Sequence, residues 1–224
     1  YRYTIVERVL MSVEKRRVLV DTDFINHVIE SGSNEKEGEN LLATLCDELG
    51  VIPYVHPWIA DNEFVLTKTK NTIKHGIVKK LSWDEIVGTD SSMLEFYEMV
   101  VKDLYKKMQD EDLDLSRCRI KDLRMSRSSL GEIQTIIVAQ KLNIPVFYSN
   151  DRGSKFLATK VNSSAFTLEV YDTPEIAIKI SQNSNTNIEE KYCISMIHNA
   201  TEDDKKKAKK CIAIVKENYR CTHN

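Results

Sequence analysis

The chain has 224 residues, 42% of them hydrophobic and 29% charged, which supplies a sizeable core and excludes wholesale disorder. Lys plus Arg comes to 32 and Asp plus Glu to 34, so the formal charge of −2 excludes a bulk polyanion binder. It does not exclude an acidic metal site with a basic rim. No apolar run approaches the ~18 residues of a membrane span, so no membrane partner is expected. The cysteines (Cys46, Cys118, Cys193, Cys211 and Cys221) are odd in number and scattered. That argues against a disulfide framework and a structural zinc site, and points to a reducing cytoplasm.

In chain order, Arg17-Val-Leu-Val-Asp21 is short, rich in β-branched residues and closed by an acid, the pattern of a buried strand. Asp21-Thr22-Asp23 then offers N-cap side chains to a helix through about Ile29. Residues 31–38 read as a polar loop, and Leu41, Leu42, Leu45 and Leu49 mark a second helix that Gly50 stops. After the short apolar 51–56 run, Pro57 opens a helix carrying Glu63. Residues 68–80 are basic. Ser91 to Met108 is amphipathic, with Met93, Leu94, Tyr97, Val100, Val101 and Leu104 inward and Ser92 with Glu95 as a capping box.

Ser128 or Ser129 caps the next helix, whose apolar positions are Ile133, Ile136, Ile137, Ala139 and Leu142. Pro145 to Ser149 is a second buried strand, followed by the polar turn Asn150-Asp151-Arg152-Gly153 and a helix from Lys155. Phe166 to Tyr171 alternates as an edge strand, and Pro174 opens another helix. Strands alternating with helices predict an α/β protein with a parallel sheet covered on both faces. We expect a domain over 16–180, then a polar linker and a C-terminal helical appendage over 181–224, its last helix capped by Thr201.

The chain has no G-x-G-x-x-G, Walker loop, H-E-x-x-H or G-x-S-x-G, and its five His are isolated. What remains is a set of carboxylates at element ends. Asp21 ends the first strand and Asp151 follows the strand at 145–149. In an open parallel sheet, both face the crevice at the carboxyl ends of the strands. Glu132 opens the helix that feeds the later strand, so that antiparallel helix brings it to the same crevice. Glu63 approaches from a third helix. Each acid has an ordinary alternative: capping for Asp21 and Asp23, a capping box for Glu132, an Asx-turn for Asp151 and a solvated helix position for Glu63. Brought together, they would repel unless cations sat between them, and Mg²⁺ or Mn²⁺ prefers such all-oxygen ligation. Ions held that way serve phosphodiester hydrolysis.

These stretches resemble the PIN-domain nucleases. Arg17-Val-Leu-Val-Asp21-Thr22-Asp23-Phe24 is similar to their opening strand, and Ser129-Leu-Gly-Glu132 with the run to Ala139 to their Gly-Glu helix. Ile144-Pro-Val-Phe-Tyr-Ser149-Asn150-Asp151 is similar to their final strand, and Ile52 to Glu63 to their second acid. The resemblance spans residues 16–180 and implies a parallel α/β/α sandwich of PIN-like type. It implies one or two Mg²⁺ or Mn²⁺ ions on Asp21, Glu63, Glu132 and Asp151, which are then both metal ligands and catalytic residues. Thr22 and Ser149 would orient the carboxylates, and Asp23 stands where the family more often has Asn.

The activity implied is a metal-dependent nuclease, an endoribonuclease, with RNA favoured over DNA. Arg124, Arg127 and Arg152 are candidate substrate contacts, as are Lys68 to Lys80, for which solvated surface is the plainer reading. A homodimer or a regulatory protein partner fits this class. Two other readings stay open: a PIN-like nucleic-acid- or protein-binding module without catalysis, and another Mg-dependent phosphoryl hydrolase with Asp21 as nucleophile.

Overall fold

The computed structural model describes residues 15–109 and 129–222. Five strands, β1 (Arg16–Val20), β2 (Val51–Val55), β3 (Lys79–Lys80), β4 (Val146–Tyr148) and β5 (Glu169–Tyr171), form one all-parallel sheet in the order β3-β2-β1-β4-β5. Alternation along a strand sends successive side chains to opposite faces. In β1, Val18 and Val20 enter the core on one face and Leu19 the core on the other; in β4, Tyr148 and Phe147 divide the same way. The expected α/β/α sandwich is therefore present.

The first core is closed by α1 (Thr22–Ile29), α2 (Glu35–Glu48), α9 (Thr173–Ser181), α10 (Glu190–Ala200) and α11 (Lys205–Thr222). The second is closed by α5 (Trp83–Val87), α6 (Ser91–Gln109), α7 (Ser129–Lys141) and α8 (Arg152–Val161). Two shorter helices, α3 (Pro57–Asn62) and α4 (Thr67–Lys74), connect β2 to β3. Helix α7 is largely apolar and buried from Leu130 to Ala139, as a helix between a sheet and other helices must be. Among the described residues, no helix is long and apolar enough to cross a membrane.

Several expectations are corrected. The 31–38 stretch is a loop only as far as Asn34, whose Oδ1 accepts the Glu37 N–H at 3.0 Å and starts α2. Gly38 lies inside that helix, pressed on the Ile29 carbonyl, and is no loop residue. Helix α6 is capped by Asp90, whose Oδ1 accepts the Ser92 N–H at 2.9 Å, rather than by Ser92. Its Met93 and Leu94 are exposed while Tyr97, Val101 and Leu104 are buried. Helix α8 begins three residues earlier than read, because Asp151 caps it. Only Glu169–Tyr171 of the expected edge strand pairs with β4.

Thr201 ends α10, donating to the Ile197 carbonyl, and Asp204 starts α11 by accepting the Lys207 N–H at 2.9 Å. The 181–224 stretch contributes Cys193, Met196, Ile197, Cys211 and Val215 to the same core as β1 and α1. Asn199 on α10 also donates to the His27 carbonyl at 3.1 Å.

Candidate metal centre

Chain direction changes sides at β1: β2 and β3 extend the sheet one way, β4 and β5 the other. The carboxyl ends of β1 and β4 therefore flank the switch point, where ligands bind in open α/β sheets. The two ends are tied directly, since the Asp21 N–H donates to the Tyr148 carbonyl at 3.1 Å. Asp21 and Asp151 thus lie at the same end of the sheet.

Asp21 is buried, and its Oδ1 accepts the Phe24 N–H at 2.6 Å as the N-cap of α1. The expected capping role is real, and the same carboxylate also bonds the Ser149 hydroxyl. Burial pushes the Asp21 pKa up to about 7 against opposing hydrogen bonds from Ser149, Phe24 and Asn150, with Asp23 adding like charge. Ser149, wholly buried, joins the two strand-end acids. Its hydroxyl is bonded to Asp21, accepts the Asp151 N–H at 3.2 Å and pairs with the Ser154 hydroxyl at 2.9 Å. Ser154 went unrecognised in the sequence, because nothing in a Gly-Ser-Lys run distinguishes a buried serine from a solvated one.

Glu63 is the C-cap of α3 and is drawn inward by Thr22, whose hydroxyl donates to Oε2 at 3.2 Å. Its Oε1 is buried without a hydrogen-bond partner among the described residues. Burial, with like charge from Asp23, raises the Glu63 pKa to about 7 despite the Thr22 hydroxyl. Gly131 makes this possible: a Cβ there would overlap Glu63 Oε1 and approach Ile59 Cγ1 to 2.9 Å. The Gly-Glu pair is thus read as two residues with one purpose, a gap for one carboxylate followed by another.

Glu132, in the first turn of α7, is 7% exposed and its Oε2 has no partner among the described residues. Burial drives its pKa to about 9, and Asp151, Asp21 and Glu63 all push the same way through like charge. Three of the predicted acids, Asp21, Glu63 and Asp151, thus lie within electrostatic reach of the fourth, Glu132. Asp151 caps α8 by accepting the Gly153 N–H at 2.6 Å. Asp23 is exposed at the rim, and Arg152 is exposed at the first position of α8. Arg124 and Arg127 lie outside the described residues.

Left without counter-charge, such a cluster must hold protons at neutral pH, because ionised carboxylates cannot share a buried site uncompensated. Two orphaned carboxylate oxygens amid two further acids fit a hard divalent cation, which takes carboxylates and waters as ligands. Among the described residues no group of three or more His, Cys, Asp or Glu is placed to hold a metal ion as it stands. Asp21, Glu63, Glu132 and Asp151 are the residues that would hold one.

The basic stretch 68–80 is partly spent on holding α4 and β3 to the fold. Lys68 pairs with Glu30, His75 with Glu39 and Lys80 with Asp61. Trp83 packs edge-on against His56 and Tyr97. Comparison with known proteins adds nothing to this geometry, since no family model, curated protein or solved structure matches the chain.

Proposed function

We propose that this chain is a divalent-metal-dependent nuclease of PIN-like type, an endoribonuclease with a carboxylate-bound Mg²⁺ or Mn²⁺ site. The observation that supports it most is Glu132, a buried carboxyl at the switch point, repelled by three other acids and left with an oxygen that bonds nothing described. A capping or surface role explains neither its burial nor its company.

One or two bound ions would polarise a phosphoryl oxygen and lower the pKa of an attacking water. The chain's own part is orientation. Phe24 N–H and Ser149 fix Asp21, Thr22 fixes Glu63, and Gly153 N–H fixes Asp151. Arg152, exposed beside Asp151, would meet a phosphate without entering the acidic cluster. A phosphoaspartyl route is less well supported, because Asp21 is buried and already accepts the Phe24 N–H.

The test compares wild type with Asp151→Asn on mixed-sequence RNA and single-stranded DNA, each with Mn²⁺ and with EDTA. Asn keeps the cap acceptor for Gly153 but lacks the charge that holds a hard cation. We expect Mn²⁺-dependent cleavage of RNA by wild type and a loss of at least ~100-fold in the variant, with the fold retained. Equal cleavage in all conditions would mean a contaminating nuclease and would remove the enzyme assignment.

A further inference from the structure

Helix α8 leaves the candidate site at Asp151 and carries Arg152, Phe156, Thr159 and Lys160 at helical spacing i, i+4, i+7 and i+8. All four are exposed, and Phe156 retains 53% of its surface. The Lys160 ammonium stands 4.8 Å from the Phe156 ring centroid. Neither Arg152 nor Lys160 pairs with a carboxylate among the described residues. Lys155, turned to the side of the helix, is by contrast engaged with Asp172 at 3.4 Å and Glu175 at 2.7 Å.

The sequence around this face is equally one-sided. No Asp or Glu occurs between Asp151 and Glu169, in a chain where acids number 34 of 224 residues. A lone exposed apolar side chain is ordinary and needs no explanation. An exposed aromatic ring between two cations that pair with no described carboxylate, on a stretch without Asp or Glu that starts one residue from an acidic crevice, is a different object. Its charge is complementary to a polyanion, and its ring is a flat apolar surface that bases of any identity can stack on.

We infer that the Arg152–Phe156–Lys160 face of α8 is a binding track for single-stranded nucleic acid, with a base stacked on Phe156 and phosphates at Arg152 and Lys160. The track runs from residue 152 to residue 160, eight steps of about 1.5 Å or about 12 Å, enough for a few nucleotides. It rests on the nuclease reading for the direction of the strand, which runs along α8 toward the acids. A folded duplex cannot stack on one ring, so the track distinguishes single strands from double strands.

The experiment measures binding in EDTA, where cleavage is off, by anisotropy of a labelled single-stranded oligouridine. A 5-iodouridine version is then photo-cross-linked and the adduct mapped. We expect Phe156→Ala to weaken binding roughly 10- to 100-fold, as loss of one stacking platform does, and Phe156→Tyr to restore it. Arg152→Ala with Lys160→Ala should lower the salt slope by roughly one to two, because two phosphate contacts no longer release counterions. The cross-link should fall within residues 152–160. All these positions are exposed, so the variants keep their melting temperature, and thermal scans confirm it. Unchanged affinity in Phe156→Ala, equal binding of duplex, equal competition by polyglutamate, or a cross-link elsewhere would each overturn the track. The nuclease reading fails separately: binding on α8 without Mn²⁺-dependent cleavage sinks the enzyme and keeps the track, whereas cleavage with wild-type affinity in Phe156→Ala does the reverse.

Discussion

The Glu63 carboxylate occupies the space that a side chain on Gly131 would need. One residue on a three-turn buried helix has been kept bare so that an acid from another helix can lie against its backbone. Gly131→Ala forces a choice between moving Ile59, which is fully buried, and moving the end of a flexible Glu side chain. The latter is cheaper. We therefore expect the variant to fold with a stability change of about 1 kcal/mol or less, since the helix gains propensity while the neighbour yields. Divalent-ion affinity, measured by calorimetry with Mn²⁺, should fall at least ~10-fold because one of four acids has been displaced. A variant that binds Mn²⁺ as wild type does would remove Glu63 from the site.

A second glycine gives the opposite outcome. A Cβ on Gly38 would run into the backbone carbonyl of Ile29, and one on Gly32 would meet the backbone of Gly38. Neither obstacle can rotate away. Gly38→Ala should therefore push α1 and α2 apart and cost roughly 3 kcal/mol or more, despite the better helix propensity of Ala. Chemical denaturation of the two glycine variants side by side tests the distinction: a small loss at 131, a large one at 38.

The sequence made the centre of this fold legible and its edges obscure. Strand β1, helix α7 and strand β4 are buried over most of their length, so burial wrote apolar residues into each, and the acids stand out near their ends. Strand β3 is two exposed lysines that pair with β2, too short to show any alternation of side chains. Helix α10 is short and mixed, its inward face only Cys193, Met196 and Ile197. For the site, strand ends and a helix start in a parallel sheet already set Asp21, Glu132 and Asp151 at one crevice. The contacts of Gly131 with Glu63 and of Ser154 with Ser149 are tertiary, and local spacing contains no trace of them.

His56, one of the five isolated histidines of the sequence, is the middle of a buried chain. Its Nδ1 accepts the Trp58 N–H at 3.0 Å, so the proton of the neutral ring sits on Nε2. That N–H donates to the Tyr97 hydroxyl at 3.0 Å, which donates in turn to Gln134 Oε1 at 3.3 Å. Burial lowers the His56 pKa to about 3, which keeps the ring neutral and the direction of the chain fixed. Tyr97→Phe leaves a buried N–H and a buried carbonyl unpaired, at a cost of about 2–4 kcal/mol. Adding Gln134→Met removes one of the two unpaired groups and should recover part of the loss. Full additivity of the two substitutions in denaturant would show that the chain is not coupled.

The acids make the metal-free protein sensitive to alkali, and the sign follows from the protons. Asp21, Glu63 and Glu132 are raised by burial to about 7, 7 and 9. Unfolded, the same groups ionise near 4. Between those limits the folded state binds more protons than the unfolded state, so stability must fall as pH rises. It is fully present below about pH 4 and is spent by the time pH passes about 9. In EDTA, we expect the melting temperature to drop by roughly 10 °C from pH 6 to pH 9, given the few degrees per kcal/mol of a domain this size. Mn²⁺ competes with those protons for the same oxygens, so its stabilising effect should grow over the same interval and be smallest at pH 5. Glu132→Gln removes the most strongly raised acid while keeping its shape. That variant should melt higher than wild type in EDTA at pH 8, lose the part of the pH slope above about pH 7, and gain little from Mn²⁺. A pH-independent melting temperature in wild-type protein, or an equal Mn²⁺ gain in both proteins, would mean that these carboxylates neither repel one another nor hold an ion.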